Sequence, residues 1–340
     1  MRKSNLSIFI LTCLLATSAS CFKFGEMSPF IVFEVNSNPN STWKAARYPH
    51  FEKMTREQLL GHLGALDEPD WVKLPTKEFD PNSNQDPIPE FFDVREQWPN
   101  CQSIKLIRDQ STCGSCWAFA ATETFSDRIC IASNQTLQTS ISSEDLLECC
   151  ADYCGMGCQG GYPSAAWGYM KRQGVSTGGL YGDDTSCKPY VFPPCDHHVT
   201  GQYQPCGPIQ PTPQCVRECN SEYTQNTYEK DLHFASQTYS IKQNVQAIQR
   251  EIMAHGPVQA SFKVAADFLT YKSGVYIRNP KLKYEGGHSV KIIGWGKEGN
   301  TPYWLIANSW NEDWGEKGLF RMLRGKNECG IEAQIVAGLP

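Results

Sequence analysis

No run of lysines or arginines occurs in this chain of 340 residues. With a formal net charge of −5 and charged residues at 20%, it lacks the basic face a nucleic acid would require, and no such partner is expected. No internal repeat is present, which excludes a repeat array. A second long apolar stretch is missing too. The one hydrophobic run, Leu6 to Ala16, is too short for a comfortable membrane span. It follows Arg2 and Lys3 and leads into small residues through Ser20. That order predicts a secretory signal over 1–20, cleaved near Ser20 or Cys21, and a soluble mature protein with no membrane span.

Cysteine is absent between Cys21 and Cys101. Residues 21–87 carry one helical pattern, around Met54 to Leu66, and end in the turn-rich stretch Asp80 to Pro89. This composition predicts a removable pro-segment followed by an exposed cleavage region. A small accessory domain is the alternative, but it would have little core of its own.

Cysteine is then abundant. Of sixteen in the chain, fourteen fall between Cys101 and Cys329. On a secretory route most should be disulfide-bonded. If one is a free nucleophile, at least one other must be unpaired, and Cys329 stands far beyond the dense cluster. Six bridges and two free thiols close the count. Two sequons, Asn40-Ser-Thr and Asn134-Gln-Thr, fit the same route as glycosylation acceptors.

The mature region divides in two. From Phe91 to about Gly178 the pattern is mainly helical, and Ser142-Ser-Glu-Asp-Leu-Leu-Glu has a capping residue with acids in the first turn. Residues 180–230 are turn-rich. After His233 a helix over Asn244 to Ala254 leads into strand-like segments at Val258–Val264, Ser289–Gly294, Tyr303–Ala307 and Leu319–Leu323. A helical lobe followed by a strand-rich lobe predicts an α+β fold.

The chemistry concentrates in three motifs. In Gln110-Ser-Thr-Cys-Gly-Ser-Cys116-Trp-Ala-Phe119, a cysteine precedes an amphipathic run with Ala118, Ala121, Phe125 and Ile129 at helical spacing. Cys116 should sit in the first helical turn, where partial positive charge favours the thiolate. Gly286-Gly-His288-Ser-Val and Tyr303-Trp-Leu-Ile-Ala-Asn308-Ser-Trp310 supply a base and its orienter. Asn308 can accept from one imidazole nitrogen and leave the other facing sulfur, and Trp310 would shield that bond. A lone cysteine here is ordinarily half a disulfide and a lone histidine ordinarily structural. The order Cys, His, Asn, each in its own context, argues otherwise.

From about Ile88 onward these motifs resemble the papain family of cysteine proteases, and within it the cathepsin B branch. The resemblance implies a papain-like two-lobe fold, with a helical left lobe, a β-barrel-like right lobe and the cleft between them, formed by residues 88–340. It implies Cys116 as nucleophile, His288 as general acid/base, Asn308 as orienter and Gln110 as an oxyanion donor beside the Cys116 backbone N–H. Gly160 and Gly161 would line the cleft and pair with substrate backbone, with Trp310 at its edge. In this family His and Asn ordinarily follow the cysteine by about 130–150 residues; here they follow by 172 and 192. The stretch between Cys187 and Cys219 accommodates the difference. It resembles an occluding loop whose His197 and His198 bind a substrate's C-terminal carboxylate, giving dipeptidyl carboxypeptidase besides endopeptidase activity. The implied disulfides are Cys101–Cys130, Cys113–Cys158, Cys149–Cys215, Cys150–Cys154, Cys187–Cys219 and Cys195–Cys206. A zinc site among Cys149, Cys150, Cys154, Cys158, His197 and His198 is permitted by spacing alone, but secretory routing favours disulfides, and neither metal nor cofactor is expected.

The resemblance also implies a monomeric zymogen of the lysosome, extracellular space or digestive lumen, acting on proteins and peptides. Its own propeptide would inhibit it, as would cystatin-type inhibitors; Trp43-Lys-Ala45 resembles part of that short propeptide, and the helix of longer cathepsin propeptides is absent. Two positions depart from the pattern. Gln334 stands where a glutamate accepts arginine two residues before the scissile bond, so arginine preference should weaken. Tyr203 replaces an arginine that pairs with Asp313, which leaves His197–Asp109 as the remaining clamp on the loop. A catalytically silent binding protein on the same scaffold is the alternative function, and the four catalytic-type residues argue against it.

Overall fold

The structure, a computed structural model, describes residues 24–48, 51–80 and 86–340. The expected signal lies outside them, as does part of the expected cleavage region. The N-terminal segment contributes helix α1 (Phe24–Ser37), strand β1 (Trp43–Ala45), the short helix α2 (Arg56–Leu60) and strand β2 (Thr76–Lys77). Next come β3 (Phe92–Asp93), α3 (Val94–Gln97) and α4 (Gln102–Lys105). One lobe is built on α5 (Cys116–Ala132), α6 (Ser143–Cys149), α7 (Ala151–Cys154) and α8 (Pro163–Arg172). The other holds β4 (Gln237–Ile241), α9 (Val245–His255), β5 (Val258–Ala265), β6 (Tyr271–Tyr276), β7 (Tyr284–Glu298), β8 (Thr301–Ala307), β9 (Leu319–Leu323) and β10 (Gln334–Leu339).

Local chemistry explains the helices. Ser142 caps α6 by accepting from the Asp145 N–H at 2.9 Å, with Glu144 and Asp145 in the first turn. Pro163 opens α8, and Lys171 and Arg172 end it. Helix α5 differs because every residue from Cys116 to Cys130 is buried. A helix covered on all sides belongs in an interior, and α5 lies between the lobes. On one side Phe119 and Phe125 pack with Leu146, Leu147, Trp167 and Met170. Toward the other lobe, Asp127 takes Lys291 at 2.8 Å, and Arg128 donates to Pro257 O at 2.8 Å and to Glu251 at 2.9 Å. Lys291 belongs to β7, so these buried ties hold the body of α5 against that strand and its neighbours.

The sheet runs in the order β1-β6-β9-β8-β7-β5-β10-β4-β2, with β3 paired to β7. Its core is aromatic and β-branched: Val258, Phe262, Ile292, Trp295, Trp304, Ile306 and Phe320. Strand β7 is longer than its apolar centre Ser289–Gly294 suggests, and β4, β6 and β10 were not expected. Among the described residues six disulfides join 101–130, 113–158, 149–215, 150–154, 187–219 and 195–206, while Cys116 and Cys329 are free and buried.

The N-terminal segment corrects two expectations. Helix α1, with Pro29 inside it, was not foreseen. The pattern from Met54 to Leu66 is helical only over Arg56–Leu60, and beyond Gly61 the chain extends along the groove between the lobes. Strand β1 pairs antiparallel with β6, Trp43 opposite Gly274. The Trp43 indole donates to Ile277 O at 3.1 Å and meets Tyr276 edge-on at 5.1 Å. Gly274 is required there: at φ 94° a Cβ would meet Thr42 O at 2.6 Å.

Candidate active site

The groove between α5 and β7 brings the sequence-predicted residues together. Cys116 is the first residue of α5. Across from it, His288 sits on β7 opposite Phe262 of β5. His288 Nε2 bonds Asn308 Oδ1 at 2.7 Å, and the Ser309 N–H also donates to that oxygen at 2.9 Å. An oxygen accepting from both sides requires the imidazole proton on Nε2, which leaves Nδ1 with its lone pair and no hydrogen-bond partner. The Trp310 ring is fully buried, 4.7 Å from the His288 ring. It covers the His288–Asn308 bond and has no surface to offer a ligand in this form.

Gln110 is held by an element that sequence inspection missed. Its backbone N–H donates to Ser309 O at 2.9 Å, and Ser309 Oγ donates to Gln110 Oε1 at 2.7 Å. The Gln110 side-chain amide is thereby turned so that Nε2 faces the groove. There it donates to His62 O at 3.1 Å, as well as to Cys113 O at 2.8 Å.

His62 belongs to the N-terminal segment, which fills the groove through its main chain. The Gly64 N–H donates to Cys116 Sγ at 3.2 Å. Gly161 N–H donates to Gly64 O at 2.8 Å, Leu66 N–H to Gly161 O at 3.0 Å, and Ala65 N–H to Gly287 O at 3.0 Å. Segment residues thus bond both walls. Gly64 is held so close that a Cβ there would lie 1.7 Å from Gly114 O. Gly160 lines the same wall, where an added Cβ would meet Leu66. The sulfur faces an amide donor here, the Gly64 N–H.

This cover corrects the expected thiolate. Burial pushes the Cys116 thiol up to about 11, against the lowering effect of the surrounding N–H groups. Burial also takes His288 down to about 4, although its bond to Asn308 pulls the other way. The pair is a neutral thiol beside a neutral imidazole while the segment is in place.

The inserted loop closes the far end. His197 Nε2 bonds Asp109 Oδ1 at 2.6 Å, and the His197 and His198 rings are buried against His62 at 4.8 and 5.2 Å. Asp313, lacking an arginine, accepts from the Gln202 backbone N–H at 3.0 Å, and Tyr203 is partly exposed. Gln334 is exposed at the start of β10 and borders a cavity of about 590 Å³ shared with Glu68, Ser164 and Lys242. In that cavity Glu68 accepts from Ser164 N–H at 2.5 Å and from its hydroxyl at 2.7 Å. Asn40 and Asn134 are both exposed.

The family model for papain family cysteine proteases matches residues 88–339 of this chain. The chain belongs to the papain family. The model of the peptidase family C1 propeptide matches residues 27–69, so the segment in the cleft is a propeptide. A cathepsin B-like cysteine proteinase of Schistosoma japonicum is 48% identical over 315 residues, covering 92% of this chain and 91% of that protein. Cathepsin B-like cysteine proteinase 6 of Caenorhabditis elegans is 54% identical over 255 residues, 74% and 67% of the two chains. Among solved structures, procathepsin B S9 of Trypanosoma congolense superposes with a TM-score of 0.78 at 34% identity, covering 92% and 97%. The digestive procathepsin L 3 of Tenebrio molitor, at 19% identity and a TM-score of 0.66 over 98% and 97%, shares the fold. The chain is a cathepsin B-like cysteine protease with the α+β papain fold, carrying its propeptide.

Proposed function

We propose that this protease hydrolyses peptide bonds through Cys116, His288 and Asn308, and that it removes C-terminal dipeptides as well as cutting internally. The observation that carries this reading is the main-chain carbonyl of His62 on Gln110 Nε2, 3.1 Å away. A carbonyl oxygen is already received where a substrate's oxyanion would need donors, beside the N-terminus of α5. With the propeptide gone, water and the helix N-terminus favour a thiolate, and His288 takes the proton. Sulfur then adds to the scissile carbonyl and the oxyanion rests on Gln110 Nε2 and the Cys116 N–H. The imidazolium returns its proton to the leaving amine, and water, deprotonated by His288, releases the acyl group. Gly160, Gly161 and Trp310 belong to the cleft wall in this scheme, and Gln334 to the pocket that selects side chains.

Dipeptide removal rests on His197 and His198, which stand at the loop end of the cleft and would meet a terminal carboxylate once His62 withdraws. The division into signal (1–20), inhibitory propeptide (21–87) and mature domain (88–340), the secretory route to lysosome or exterior, use of Asn40 and Asn134, and inhibition by cystatin-type proteins belong to the same proposal. Acid-activated full-length protein provides the test. An epoxide-type thiol label should attach to the wild type and be lost in Cys116→Ser. A peptide with a free C-terminus should lose dipeptides faster than its amide. Labelling that survives Cys116→Ser overturns the nucleophile, and equal rates on acid and amide overturn the dipeptidase reading.

A further inference from the structure

Helix α8 begins without a cap of its own. Tyr162 precedes it with no side-chain hydrogen bond to the helix, and its N–H is spent on Cys154 O at 2.7 Å. Pro163 at the first helical position has no N–H to give. The first free donor is therefore the Ser164 backbone N–H, which Glu68 of the propeptide takes at 2.5 Å. The other Glu68 oxygen takes the Ser164 hydroxyl at 2.7 Å, and Ser164 is only 2% exposed. The cleft thus already holds a side-chain carboxylate, one that leaves with the propeptide. We propose that Ser164 is a specificity-determining residue of the mature protease, receiving an acidic side chain, glutamate above all, two residues before the scissile bond. This inference rests on the peptidase reading above and names a substrate class for it.

The surroundings suit an anion. The N-terminal N–H groups of a ten-residue helix bring partial positive charge to this wall of the cleft. Once Glu68 departs, the buried Ser164 hydroxyl has no other hydrogen-bond partner among the described residues, and buried polar groups ordinarily have one. Of the described mature-domain residues around the adjoining cavity of about 590 Å³, Lys242 alone is charged, and Glu68 is the one acid there. Gln334 at the same cavity is a neutral amide, where a glutamate would repel an arriving carboxylate. Burial raises the Glu68 carboxyl in the closed zymogen, and both Ser164 bonds pull it back toward the ionised form. With the propeptide gone, water reaches the cavity, so the opposing burial weakens and the two donors remain.

The position follows from the main chain. Gly64 lies at the Cys116 sulfur and the Leu66 N–H reaches Gly161 O, so Glu68 stands further along the cleft from the reacting centre. Ser164 and Gln334 share one cavity, and the resemblance gives Gln334 to the pocket for the residue two before the cut.

The test uses acid-activated full-length protein and a peptide series carrying Glu, Gln or Leu at that position, all else constant, at pH 6. Wild type should cut the Glu peptide faster than the Gln peptide. The Glu-to-Gln ratio of kcat/KM should fall about fivefold in Ser164→Ala, where a charge-assisted bond is lost, and stay within twofold in Ser164→Thr, which keeps the hydroxyl. A ratio taken within one variant cancels any general change in catalysis, and the Leu peptide reports that change separately. Equal rates on Glu and Gln peptides in wild type overturn the inference, as does a ratio unchanged in Ser164→Ala. Cutting that survives Cys116→Ser, or no cutting of any peptide, overturns the peptidase reading instead. Calorimetry on the Cys116→Ser chain, freed of its propeptide by an added protease, then decides the subsite without catalysis. Tighter binding of the Glu peptide, lost on adding Ser164→Ala, keeps it, and equal binding of Glu and Gln peptides overturns it.

Discussion

Acid should loosen the propeptide through His62, and the size of the effect can be worked out. Burial, with His197 and His288 adding to it, holds His62 well below its ordinary value of 6.5, and its ring packs against those of His197 and His198. A released propeptide would return it to about 6.5. The sign follows from linkage: the cleft-bound state is the one that resists the proton, so its advantage is whole above pH 6.5 and shrinks as pH falls below that value. The released state gains a factor of one plus ten to the power 6.5 minus pH. Between pH 6.5 and 4.5 this amounts to about 50-fold, or about 2 kcal/mol. Glu68 works in the opposite direction, because burial raises its carboxyl and protonation accompanies the bound form. Glu68 is common to wild type and variant, so a ratio removes it.

The perturbation is His62→Phe, which keeps a ring and removes the titration. The rate at which latency is lost would be followed at pH 6.5, 5.5 and 4.5. Dividing wild type by variant cancels the pH profile of catalysis, and with opening faster than processing the quotient reports the open fraction. It should climb about 50-fold across that window. A quotient constant within twofold refutes His62 as the proton-linked group.

Three further outcomes follow from the same geometry. Gly64→Ala must push a Cβ into Gly114 O, 1.7 Å away as the chain lies; an overpacking penalty of about 1–3 kcal/mol predicts a roughly 5- to 150-fold loss of latency, and a variant as latent as wild type contradicts the main-chain docking. With the Cys116 thiol near 11, the thiolate fraction at pH 7 is about 10⁻⁴, so iodoacetamide should label the latent chain at least 100-fold more slowly than the activated one; comparable rates would show that the cover does not control the thiol. Gln334→Glu should raise the arginine-to-leucine ratio of kcat/KM about tenfold, as a charge-assisted contact is regained, and an unchanged ratio places the selectivity elsewhere.

The site was more legible than its cover, for a physical reason. Cys116, His288, Asn308 and Gln110 act through side chains whose chemistry few residues can replace, so their identities mark them in the sequence. The propeptide acts through the backbone groups of Gly64, Ala65 and Leu66, which any residue owns. Leucines at 59, 60, 63 and 66 fit a helical period, and only Gly61 and Gly64 hinted that the helix stops. Ser309 was equally silent, because its task is a hydrogen bond to Gln110 that depends on two loops meeting. Strands β4, β6 and β10 depend on pairings distant in the chain, such as Val336 opposite Ser240 and Val275 opposite Arg321, which periodicity does not register. Lys291 interrupts an apolar strand for a reason visible only in three dimensions: Asp127 waits 2.8 Å away in the interior.

The most instructive mismatch concerns the thiol itself. Placing Cys116 at the start of α5 predicts an activated sulfur, and the position is as expected. A helix N-terminus contributes about 0.3–2 kcal/mol toward the charged form. Raising the thiol from 9.0 to about 11 corresponds to about 3 kcal/mol in the other direction. Desolvation therefore outweighs the helix for as long as residues 62–66 occupy the cleft, even with the Gly64 N–H at 3.2 Å as a donor. Displacing those residues rehydrates the sulfur and frees His288 from its burial in one step. Latency on this account has two parts: a segment that excludes substrate, and a thiol held neutral by that same exclusion. A propeptide variant that leaves the cleft open should then restore substrate access and thiol reactivity together, never one without the other.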